Sequence, residues 1–290
     1  MTEGPAPRRF TLEAWDGVAV AAYGWPIANE RAVVLIAHGM GEHALRYGRL
    51  AAALNRAGYG VLALDHRGHG ATARSGELGD FGPRGFEAVV EDLGLLVAHA
   101  RRSSPAPVIL LGHSMGSLAA QLFVLDRGAE IDGLVLSGST AFDVIAQAMG
   151  DPAAVKLDSA FNAAFEPART PFDWLSRDEG EVDRYIADPL CGFTVTPEGM
   201  ASMFAAAART ADPHALANIP KTLPCYVMAG DTDPLNGGLA LLNLLVERYR
   251  NAGLGSVATA FYAGGRHEMF NETNRDQVAG DLIAWLDAAL

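Results

Sequence analysis

Residues 108–120 read Val-Ile-Leu-Leu-Gly-His-Ser-Met-Gly-Ser-Leu-Ala-Ala, and this stretch constrains the fold more than any other. Val108–Leu111 is an apolar run suited to a buried strand, and Ser117–Leu125 reads as a helix. Between them lies Gly112-His113-Ser114-Met115-Gly116, a Gly-x-Ser-x-Gly turn. A strand, a sharp turn and a helix in succession hold such a serine in a strained conformation with its hydroxyl projecting above the sheet. Gly112 and Gly116 carry no Cβ, so strand and helix can pass close together. The new helix also points its N–H groups and positive dipole end at whatever Ser114 meets. The plain alternative, a βα loop that merely contains serine and glycine, fits the regular flanks poorly.

A serine hydroxyl becomes a nucleophile when a base takes its proton and an acid orients that base. On a sheet of this kind the expected chain order is serine, acid, histidine. Pro224–Ala229 reads as a strand ending in Gly230-Asp231-Thr232-Asp233-Pro234. Val257–Tyr262 alternates as a further strand and breaks at Ala263-Gly264-Gly265-Arg266-His267-Glu268. Of the eight histidines, only His214 and His267 follow Ser114, and His214 has no strand before it. His267 is therefore the expected general base, set against the plainer reading of a surface-turn histidine. Asp231 and Asp233 both stand where they could reach the imidazole, and either could instead cap the helix expected at Leu239–Arg250. Spacing alone leaves the two open.

Charge developing on a substrate oxygen needs N–H donors, each contributing about 3 kcal/mol. The N–H after the nucleophile, that of Met115, is one candidate. The loop His38-Gly39-Met40-Gly41-Glu42-His43, after the strand Ala32–Ala37, offers the second at Met40, because its glycines let the backbone turn inward. A metal held by His38 and His43 is the competing explanation. Their spacing is not that of a helical zinc pair, and no cysteine or third ligand is near in sequence, so no metal is expected.

The turn at Ser114 and the His38–His43 loop resemble an α/β-hydrolase, as does Gly58-Tyr59-Gly60-Val61-Leu62-Ala63-Leu64-Asp65-His66-Arg67-Gly68-His69-Gly70. His-Gly-Met-Gly-Glu-His followed by Arg46-Tyr47 and then Asp-His-Arg-Gly-His-Gly is similar, more narrowly, to the monoacylglycerol lipase and lysophospholipase branch. Bacterial members of that branch are often grouped with serine aminopeptidases of the proline-iminopeptidase type. The likeness spans about residues 10–290. It implies Asp233, three residues after Gly230 and before Pro234, as the acid, with Asp231 in reserve. It also supports His267 as base and Met40 with Met115 as the oxyanion pair.

Half of the 290 residues are apolar, enough for a large core. Strand-like runs alternate with amphipathic helices, which predicts a mostly parallel sheet with helices on both faces. Phe10–Trp15 and Val18–Tyr23, joined through Asp16-Gly17, are expected to form an antiparallel hairpin at its edge. The rhythm fails between Ala141 and Leu216, where prolines at 152, 167, 171, 189, 197 and 213 break the chain into short pieces. The expected organisation is a core of residues 1–140 and 217–290 with a helical lid at 141–216. That insertion carries Phe142, Phe161, Phe165, Phe172, Trp174, Leu175, Leu190, Phe193, Met200, Met203 and Phe204. Together they suit an acyl-chain pocket, whereas any one of them fits the lid's own small core better.

A net charge of −12 argues against a nucleic-acid partner and against adsorption to anionic membranes. His66, Arg67 and His69 are expected to shape a structural loop instead of an anion site. No run reaches the ~18 apolar residues of a membrane span, and no signal-peptide core is present. Cys191 and Cys225 make no disulfide framework, so a reducing, cytoplasmic setting is expected.

The resemblance implies a serine carboxylic-ester hydrolase acting on a small single-chain acyl ester such as a monoacylglycerol or lysophospholipid. Ser114 would attack, His267 would move the proton, Asp233 would orient His267, and no metal or organic cofactor would be needed. Two other readings stand beside it. An aminopeptidase of the proline-iminopeptidase type would need lid carboxylates for a free amino terminus, and Glu166, Asp173, Asp178, Glu179, Glu181 and Asp183 are available. A hydrolase fold serving as a non-catalytic ligand receptor is the other.

Overall fold

A computed structural model describes residues 6–74, 76–150 and 161–290 of the chain. Eight strands form one sheet in the order β1-β2-β4-β3-β5-β6-β7-β8. They are β1 (Arg8–Glu13), β2 (Ala19–Trp25), β3 (Ala32–Ala37), β4 (Tyr59–Leu64), β5 (Val108–His113), β6 (Gly133–Ser137), β7 (Cys225–Gly230) and β8 (Val257–Tyr262). β2 pairs antiparallel with β1 and β4, and every pairing from β4 through β8 is parallel. The expected α/β architecture is therefore present, edge hairpin included. β1 starts two residues earlier than expected. Because β2 runs on to Trp25, Arg8 and Arg9 find partners in Gly24 and Tyr23.

Among the described residues the α-helices are α1 (Gly48–Arg56), α2 (Phe86–Ser103), α3 (Met115–Arg127), α4 (Phe142–Met149), α5 (Glu179–Ala187), α6 (Pro197–Ala207), α7 (Pro213–Leu216), α8 (Ala240–Asn251) and α9 (Arg275–Ala289). β3 shows why the sheet is covered twice. All six of its residues are buried, and alternate side chains leave opposite faces. Val33, Leu35 and Ala37 join the core under α2, α3 and α8. Ala32, Val34 and Ile36 join the core under α1 and α9. Each large aliphatic side chain so buried contributes about 1.5–3 kcal/mol.

From β3 the chain crosses to β4 on one side and then returns to β5 on the other. Ligand sites in open α/β sheets lie at the carboxyl ends of the strands flanking such a reversal. The loops after β3 and β5 meet there. The loop after β4 braces them. Arg67 binds Asp92 through Nε at 2.7 Å and Nη2 at 3.0 Å, and Asp16 through Nη1 at 2.6 Å and Nη2 at 3.1 Å, so each guanidinium nitrogen meets a carboxylate. It ties the loop to α2 and the β1–β2 turn and leaves no anion site.

Between β6 and β7 the described residues form helices α4 to α7 and add no strand to the sheet. Pro197 and Pro213 sit in the first turns of α6 and α7, where a missing N–H costs nothing, and Thr196 and Asp212 cap those helices. Pro167, Pro171 and Pro189 lie in the connections, and Pro152 lies outside the described residues. Residues 173–177 are fastened to the segment after β8. Glu268 N–H donates to Leu175 O at 2.8 Å, and the buried Glu272 carboxylate accepts the Arg177 N–H and side chain.

Candidate active site

β5 ends at His113, α3 starts at Met115, and Ser114 between them has φ 51° and ψ −120°. That strain is sustained by packing and by hydrogen bonds on both sides. Ser114 N–H donates to Ser137 O at 3.0 Å, and Ser114 O accepts Ser117 Oγ–H at 2.6 Å. The flanking glycines are required by space. A Cβ on Gly116 would lie 2.1 Å from Ala37 O, and one on Gly112 would lie 2.4 Å from Gly116 O.

His267 follows β8, Asp233 follows β7, and the fold joins them. His267 Nδ1–H donates to Asp233 Oδ2 at 2.9 Å in a site almost closed to water. Burial by itself would lower the imidazole pKa, but the Asp233 charge and hydrogen bond override it and raise the value. Asp233 Oδ1 also accepts the Leu235 N–H at 2.9 Å. Asp233 thus takes the pairing role and caps the short turn Pro234–Asn236, whereas α8 starts after Leu239 with no side-chain cap, so neither aspartate caps that helix. Asp231 instead accepts the Gly264 N–H at 2.7 Å and shapes the loop leading to His267.

The loop after β3 is held by side chains that take its N–H groups. Gly39 N–H donates to Glu42 Oε1 at 2.6 Å and Gly41 N–H to His69 Nε2 at 3.2 Å, which leaves Met40 between two committed neighbours. His38 donates from Nδ1 to Gly39 O and accepts the His66 N–H at Nε2, so its ring is neutral. Burial pushes His38 down to about 4 and His69 to about 3. Neither is a metal ligand; both are hydrogen-bond struts.

One arrangement carries no local sequence signal. Arg46 bridges two buried carboxylates, meeting Glu42 Oε2 at 2.6 Å and Glu268 at 2.6 and 2.7 Å. Burial would raise the Glu42 carboxyl pKa, yet the Arg46 charge carries it down to about 2. Arg46 therefore ties the loop after β3 to the residue beside His267, and its guanidinium lies 4.8 Å over the Tyr185 ring of α5.

Ser114, Met115, Met40 and His267 all line one cavity of about 440 Å³, with Asp233 behind His267. Of the eleven large apolar residues singled out between positions 142 and 204, all but Phe165 and Leu190 line its wall. Expecting each of them singly in a private lid core understated this. The cavity wall is itself that segment's packed surface. Trp174 lies 4.9 Å from the His267 ring, and His113 lies 4.8 Å from it.

A strained serine at the reversal point of such a sheet, opening on a cavity with a paired histidine, is the arrangement of an α/β-hydrolase. The family described as serine aminopeptidase, S33, matches residues 28–274, and the chain belongs to that family, in its branch similar to monoacylglycerol lipases. A monoacylglycerol lipase of Mycolicibacterium smegmatis is 34% identical over 274 residues, 93% of each chain. The monoglyceride lipase of Mus musculus is 31% identical over 305 residues, 99% of this chain and 96% of its own. A carboxyl esterase from Bacillus coagulans has a TM-score of 0.85 at 28% identity, with 99% of both chains covered.

Proposed function

We propose that this serine ester hydrolase cleaves single-chain acyl esters, such as monoacylglycerols, through a Ser114–His267–Asp233 triad and an acyl-enzyme. The carrying observation is the shared cavity, in which Ser114 and His267 meet a wall built from Phe142, Met200, Met203 and Phe204. Each acyl methylene buried against such a wall contributes about 0.8 kcal/mol. We read residues 141–216 as the lid that supplies it. The names of the Mycolicibacterium and Mus relatives agree with this substrate class.

His267 donates from Nδ1 to Asp233, which leaves Nε2 with a lone pair for the Ser114 proton. Ser114 Oγ attacks the ester carbonyl, and the N–H groups of Met40 and Met115 receive the oxyanion. His267 then protonates the leaving alcohol. Water, deprotonated by the same imidazole, releases the acid from Ser114.

An amide-cleaving reading is less well supported. Asp178 caps α5 and binds Arg275, Glu181 binds Arg49 and Arg184, Asp183 binds Arg169, and Asp173 caps the turn at Thr170. None of these carboxylates lines the cavity, nor do Glu166 and Glu179. Kinetics on p-nitrophenyl esters of increasing chain length against prolyl p-nitroanilide separate the readings. Ester turnover with fluorophosphonate labelling, both lost in Ser114→Ala, is the expected result. Labelling that survives in Ser114→Ala defeats the triad, and absent turnover with absent labelling favours a receptor.

A further inference from the structure

Three donors from two distant parts of the chain meet beside the cavity wall. His43 Nε2, an Asp188 carboxylate oxygen and Cys191 Sγ lie within 4.8 Å of one another. His43 ends the loop after β3, whereas Asp188 and Cys191 belong to the turn after α5. The sequence gives that loop two histidines and no third ligand nearby; folding brings the missing donors to one of them.

We propose that His43, Asp188 and Cys191 form a binding site for a zinc-class divalent ion, which ties the turn after α5 to the loop after β3. Imidazole, carboxylate and thiolate together suit zinc or cadmium and not magnesium or calcium, which prefer all-oxygen shells. Tetrahedral zinc with bonds of about 2.0–2.3 Å needs ligand atoms roughly 3.3–3.8 Å apart. His43 Nε2 and Asp188 Oδ2 stand at 2.9 Å, so they must part slightly while Sγ moves inward.

The backbone is already set for this. Cys191 N–H donates to Asp188 O at 3.0 Å, which curls the turn so that both side chains share a side. Leu190 N–H holds Asp188 Oδ1 at 2.9 Å and leaves Oδ2 as the donor. Gly192 N–H donates to Gly41 O at 2.9 Å, clamping the turn to the loop that carries His43. Asp188 keeps a third of its side chain exposed, which gives an ion its way in. The nearby Arg46 charge is already offset by Glu42 and Glu268, so the dication meets an acidic surrounding.

Binding exchanges one proton for the metal. The Cys191 S–H bond breaks, the sulfur–metal bond forms and the proton passes to buffer. His43 binds through the Nε2 lone pair with its ring proton on Nδ1, giving up its hydrogen bond to Asp188, and water completes the tetrahedron. The ion takes no part in ester cleavage. Gly192 and Phe193 line the cavity next to Cys191, so occupancy stiffens that wall.

The test uses tag-free, chelator-treated protein titrated with cadmium and followed by the ultraviolet thiolate-to-cadmium charge-transfer band. One equivalent should develop the band and Cys191→Ser should abolish it, since Cys225, the only other cysteine, is fully buried in β7. Asp188→Asn and His43→Gln should each weaken binding by at least about tenfold. Zinc, but not magnesium, should raise the Tm of the wild-type protein and leave that of Cys191→Ser unchanged. Absence of the band, a band retained in Cys191→Ser, or equal zinc shifts in the two proteins overturns the proposal.

Discussion

The Asp233 carboxylate divides its two oxygens between His267 Nδ1 and the Leu235 N–H, each at 2.9 Å. One oxygen orients the imidazole while the other locks the carboxylate to its own backbone turn. The pair is therefore rigid before any ester arrives.

Replacing Asp233 by Asn keeps the shape and removes the charge. The amide NH₂ facing Nδ1 selects the tautomer with its proton on Nε2, where the lone pair is needed. The expected loss is about 10³–10⁴-fold in kcat with little change in KM. Steady-state p-nitrophenyl ester kinetics, with circular dichroism to verify folding, check it.

The pH profile follows from the same pair. Because the His267 pKa is raised by the Asp233 charge over the opposing effect of burial, the acid limb of kcat/KM should have its midpoint above the usual 6.5. Activity is lost as pH falls through that value, since the protonated imidazole cannot accept the serine proton. In Asp233→Asn the midpoint should move down, because the largest charge opposing burial is gone and only the weaker pull of Glu268 and Glu42 remains. A wild-type midpoint at or below that of the variant would contradict this.

Arg46→Met strands Glu42 and Glu268 together in a dry site. Breaking such a group by removing its cation costs about 3–5 kcal/mol, to be read from urea unfolding. Arg46→Lys should recover only part of this, because an ammonium cannot span both carboxylates with the planar fork seen at Glu268.

Gly116→Ala places a methyl group 2.1 Å from the Ala37 carbonyl oxygen, against backbone that cannot swing aside. A loss of about 3 kcal/mol or more is expected, measured as a depressed Tm, with ester turnover falling as the Ser114 turn is displaced.

What the sequence made legible was what short spacing encodes. The strand, turn and helix around Ser114 lie within 20 residues, and Ala32–Ala37 and Val257–Tyr262 occur as strands with the expected bounds. Asp231 and Asp233 could not be told apart by spacing, because both stand beyond the same strand and tertiary contact alone assigns their partners. Arg46 and Glu268 are 222 positions apart, and His43 and Asp188 are 145 apart. No periodicity links such pairs. The apolar residues of the insertion were visible as a group, but a cavity wall and a small core have the same composition.

The neutral imidazoles of His38 and His69 have a consequence for acid tolerance. Their pKa values, about 4 and 3, lie well beneath the raised value of His267. In mildly acidic buffer His267 should charge first while the scaffold beneath it stays intact. The enzyme should thus fall silent without coming apart, and returning it to neutral pH should restore full turnover without a refolding lag.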